Sequence, residues 1–135
     1  MYEPIRTKSV VHRMPGGRTD FPHRSRGEAL DIQLAGHLAA LLAVTDELGL
    51  DEAAARIADQ VARLRGSRPA RAAHERPAHD RSTDPAPLHR RAHDLAGRAL
   101  LVAASRADTT VAILAAERMD AHAAALESQD RAGAL

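Results

Sequence analysis

Leu30, Leu34, Leu38, Leu41, Val44 or Thr45, and Leu48 recur at steps of three and four residues, the period of an amphipathic helix. Ser25 followed by Glu28 has the spacing of a capping box, which sets a helix start near residue 26. The pattern predicts a helix over 28–48. Gly49 suits the position just past its end, where a left-handed residue closes the last turn, and Asp51 is placed to cap the next helix. Ala54, Ile57, Ala58, Val61 and Leu64 carry the same period on to Gly66, which predicts a second helix over 52–65. Residues 28–66 therefore read as a helical hairpin, or as one helix kinked at Gly49.

A second apolar series begins behind Asp84-Pro85, a good pair for a helix start. Leu88, Ala92, Leu95, Ala99, Val102 and Ala103 share one face. Val111, Leu114, Ala115, Met119 and Leu126 form another, rotated from the first. Ser105 and Asp108 can cap a new helix, and Thr109-Thr110 are weak helix formers, so a break is expected near 106–110. Residues 86–135 divide into helices over 86–106 and 109–129, with one long helix as the alternative. No stretch alternates as a strand would. The fold class expected is all-α, a bundle of about four helices, either complete within one chain or completed by dimerisation.

Pro and Gly punctuate the remainder too densely for helix. Residues 1–27 read as a flexible basic arm, and 67–85 as a linker rich in Pro and Arg. Charge tracks this division: +4 over 1–27, −4 over 28–65, +1 over 66–87, +3 over 88–107 and −3 over 108–135. Facing helices of opposite sign favour pairing with each other. The arm lacks interleaved aromatics, with Tyr2 and Phe21 standing alone, so sequence-specific nucleic-acid binding is not expected.

Composition narrows the chemistry. The 135 residues include 30 Ala and 18 Arg but no Cys and no Trp. Disulfides and Cys-ligated metals are excluded. The longest apolar run, Leu34 to Val44, includes His37 and falls short of the roughly 18 residues of a membrane span. With no apolar leader segment at the N-terminus, the expectation is a cytoplasmic protein without a membrane partner. Helices free of Phe and Trp give one chain a thin core, and Ala-rich faces allow close helix approach. A homodimer sharing Leu34, Leu38, Leu41, Leu95 and Leu114 is the economical solution.

Four histidines stand at telling places. His37 lies between Leu34 and Leu41, and His122 between Met119 and Leu126, both among apolar neighbours. Their plain reading is a buried helix–helix contact. His89 and His93 are spaced i, i+4, which puts two imidazoles on one helix face as helical metal sites require. A third ligand from His37 or His122 would leave an open position for water. The segment His89-Arg90-Arg91-Ala92-His93 resembles the H-x-x-x-H pair of DinB-like metal-binding bundles, over those residues alone. That likeness implies a single divalent transition metal and a metal-dependent enzyme. Motifs for nucleotide binding or a nucleophilic serine are missing. The first expectation is therefore a small non-enzymatic helical protein without a cofactor, acting through self-association or through another protein.

Overall fold

The computed structural model describes residues 25–71 and 84–133, and 86% of them are helical. Four helices form: α1 (Arg26–Glu47), α2 (Asp51–Arg65), α3 (Ala86–Arg106) and α4 (Thr109–Gly133). Among the described residues there is no strand. The all-α bundle of four helices is thus present, with a break rather than one long helix after residue 106. Residues 1–24 of the basic arm and 72–83 of the linker lie outside the described residues; Arg26 and Gly27, assigned to the arm, belong to α1.

Each helix end has an identifiable cause. The Ser25 hydroxyl accepts from the Glu28 amide at 3.0 Å, and the Glu28 carboxylate accepts from the Ser25 amide at 3.1 Å. After α1 the chain turns left-handed at Gly49, φ +76°. The Gly49 amide donates to the Asp46 carbonyl and the Leu50 amide to the Thr45 carbonyl, which satisfies two carbonyls the helix leaves open. Asp51 does not cap α2. Leu50 holds that position without a side-chain bond, and Asp51 and Glu52 sit inside the first turn, where acids suit the positive end of the helix dipole. Asp108 does cap α4, accepting from the Val111 amide at 3.1 Å.

Ion pairs fix the helix directions. Asp31 near the start of α1 receives Arg106 from the end of α3, and the guanidinium lies over Gly27, where an added Cβ would come within 3.0 Å of it. Arg63 of α2 meets Asp108 at the start of α4, and Arg56 meets Glu117 two turns further along. Going round the bundle the order is α1, α2, α4, α3, and neighbours run antiparallel. Direct packing joins α1 to α2, α1 to α3, and α3 to α4. Between α2 and α4 the Arg56 and Arg63 pairs flank a surface groove of about 310 Å³.

In this order α2 ends and α3 begins at opposite ends of the bundle. The end of α2 and the start of α3 are therefore separated by a distance near the ~30 Å length of α3. After α2 the chain turns left-handed at Gly66, φ +82°. Arg68 then pairs with Asp59 of α2, and Arg71 places Nε and Nη2 on the Asp46 carboxylate at 2.9 and 2.8 Å. The core is Leu34, Leu38, Leu41, Leu42, Ile57, Val61 and Val111, filled between by alanines such as Ala54, Ala92, Ala96 and Ala99. Alanine at these positions brings helix axes close, so leucines from α1 span the middle.

Candidate functional site

His122 stands on the inner face of α4, set there by the period that also buries Val111, Leu114 and Ala115. It is fully covered. His89 meets it from α3, with ring centroids 5.1 Å apart and planes tilted by 49°. The two Nδ1 atoms are 2.8 Å apart, a hydrogen-bond distance. A neutral imidazole donates at one nitrogen and accepts at the other, so one facing nitrogen carries hydrogen and the other is bare. On the far edge of His122, Nε2 lies 3.5 Å from Nη2 of Arg118, one turn earlier in α4. Arginine can only donate. The network therefore assigns the His122 hydrogen to Nδ1, which donates to Nδ1 of His89, and leaves the His89 hydrogen on Nε2. A directed chain runs from Arg118 through His122 to His89.

The electrostatics favour neutral rings. Burial first, then Arg118 and the neighbouring His89 and His93, push the His122 pKa down to about 4. Burial and Arg118 lower His89 in the same direction. Arg118 is itself lowered by burial and by Arg56, while Glu117 works the other way; a guanidinium remains charged in either case. Its Nε is buried without a partner among the described residues.

Of the four histidines singled out by the sequence, the structure brings His89 and His122 together. His93 is close enough to act on His122 electrostatically, but it is half-exposed, with Nδ1 3.9 Å from the Asp94 carboxylate. His37 is half-exposed on α1 and takes no part, so it is not the buried contact that its place between two leucines implies. Two nitrogens on one tetrahedral cation stand about 3.3 Å apart, wider than the separation here. Among the described residues no group of three or more His, Asp or Glu side chains is gathered to hold a metal. What the arrangement does chemically is hold α3 to α4 through a neutral hydrogen bond.

The five leucines expected in a core shared by two copies are covered by their own chain. Leu34, Leu38 and Leu41 are fully buried, and Leu95 and Leu114 are 6% and 5% exposed. Small alanines let four helices close over them, which residue volume alone does not reveal. The open apolar surface is on the outside of α1. Residues 32–45 contain no Asp, Glu, Lys or Arg. Ile32 is 55% exposed, and Gln33, Gly36 and Ala43 are exposed along the same side. By length and composition α1 could also cross a membrane; a third of its most apolar stretch is buried in the bundle. Leu101 on α3 and Ile113 beside the α2–α4 groove are further exposed apolar side chains.

No family model, curated protein or solved structure matches this chain. Two features escape a reading of the sequence. Arg118 looks like one more surface charge until its helix is docked. The Asp46–Arg71 pair has a faint signal, an acid in the last helical turn, where the dipole disfavours it unless a cation lies near.

Proposed function

We propose that this chain acts by self-association, as a homodimer built on the outer face of α1. The observation that carries the reading is the uncharged run 32–45, with Ile32 open to solvent in a helix whose inner face is already satisfied. Gly36 adds to it. A mid-helix glycine costs roughly 0.5–1 kcal/mol relative to alanine. Among the described residues nothing uses the space, since a Cβ at Gly36 would meet no atom within 4 Å. A second helix crossing at that point would use it, because the contact side chains set how closely two axes approach. The partner must be uncharged opposite the same residues, or it would bury unpaired charge. A second copy meets that requirement, and two-fold symmetry presents each face to the other.

Ile32→Glu puts a charge into the proposed contact and leaves the core untouched. The expected result is the mass of one chain by light scattering, with helicity by circular dichroism as in the parent. Leu41→Asp, inside the core, should lower helicity and mass together. An Ile32→Glu protein that keeps the mass of two chains contradicts the reading. So does a parent protein that stays at one chain and instead co-sediments with phosphatidylcholine vesicles, which would assign the same face to a membrane.

A further inference from the structure

We infer that the His89–His122 contact is an acid-sensitive latch, closed while both rings are neutral and opened by protonation, which frees the C-terminal half of α4 from α3. The ground is the geometry of donors and acceptors. At 2.8 Å the two facing Nδ1 atoms have room for one hydrogen between them. One added proton must enter His122 at Nε2, against the Arg118 guanidinium, or displace the shared hydrogen. A second sets N–H against N–H and ends the bond. The groups facing the pair are Arg118 on α4 and His93 on α3, with Arg56 of α2 acting on Arg118 and in turn bound to Glu117. No carboxylate is a hydrogen-bond or ion-pair partner of either ring among the described residues, so nothing there welcomes a cation.

Linkage sets the sign. Burial and Arg118 lower the His122 value from 6.5 to about 4, so the closed state resists a proton that the open state accepts. The stabilisation is complete above the ordinary imidazole value and fades as pH falls from there toward about 4. Between pH 7.5 and pH 5, above the carboxylate range, the ratio of open to closed forms should rise by about 30-fold. Once open, the ring titrates as an ordinary imidazole.

Hydrogen exchange on the full chain in EDTA, read segment by segment across that interval, tests the latch. Expected is a loss of protection of about 30-fold in residues 119–131, with α1 and α2 unchanged. His122→Gln, which cannot take a proton, should remove the pH dependence; His122→Leu serves if that protein fails to fold. Uniform loss over all four helices overturns the inference. So does a pH dependence of 119–131 that survives when His122 is replaced.

Discussion

Among the described residues Ala107 is the one non-glycine residue in the left-handed region, at φ +61° in the turn between α3 and α4. A side chain in the left-handed region costs roughly 1–2 kcal/mol, which glycine avoids. The turn is otherwise well made, with the Asp108 amide donating to the Ala103 carbonyl at 2.8 Å and the Ala107 amide to the Ala104 carbonyl. Ala107→Gly should therefore raise stability by about 0.5–1 kcal/mol, seen as a higher urea midpoint at unchanged slope. A lower midpoint would mean that the greater freedom of glycine in the unfolded chain outweighs the relieved strain. The histidines show how far reading single residues reaches. The spacing of His122 from Met119 and Leu126 assigns it an apolar face, and the structure buries it there. Its partner is not legible, because a period of 3.6 gives the face of a residue and not what another helix sets opposite. His37 has the same kind of spacing and stays half-exposed, since the apolar stripe of α1 is wider than the side covered by α2 and α3.

At the scale of elements, the helix bounds arise from local chemistry that the sequence states openly: Ser25 with Glu28, the glycines at 49 and 66, and Asp108 before Val111. Where two residues compete for one role the sequence is ambiguous. Leu50 takes the cap of α2 because the Leu50 amide is committed to closing α1, which leaves Asp51 inside the helix. Beyond α2, Arg71 ties the chain back to the end of α1. Its fork on Asp46 brings a cation to a carboxylate that is 1% exposed and sits at the negative end of α1. The Asp46 hydrogen bond is the largest cause raising the Arg71 pKa, against some loss of hydration. Arg71→Ala should lower stability by about 1–2 kcal/mol, the lower end applying because a third of the guanidinium side chain faces water. A thermal melt in which this variant matches the parent would show that Asp46 is held without it.

For the whole molecule, the decisive feature is that neighbouring helices all run antiparallel, with α2 ending and α3 beginning at opposite ends of the bundle. That order lets one chain bury every leucine that the sequence assigns to a shared core, so any second copy has to meet an outer face. Composition points to association through a thin core; the alanines close that core within one chain, and the proposed association falls instead to the outer face of α1. Charge segregation plays a part inside the molecule, since Arg56–Glu117, Arg63–Asp108 and Arg106–Asp31 all join different helices. Sedimentation equilibrium of the parent chain, from about 1 to about 100 micromolar, asks most directly whether the outer face of α1 is covered in solution. A dimer through α1 predicts a mass rising to twice the 14.5 kDa of one chain, and a return to one chain when Ile32 is replaced by Glu. A parent protein that remains at one chain throughout that range would contradict it.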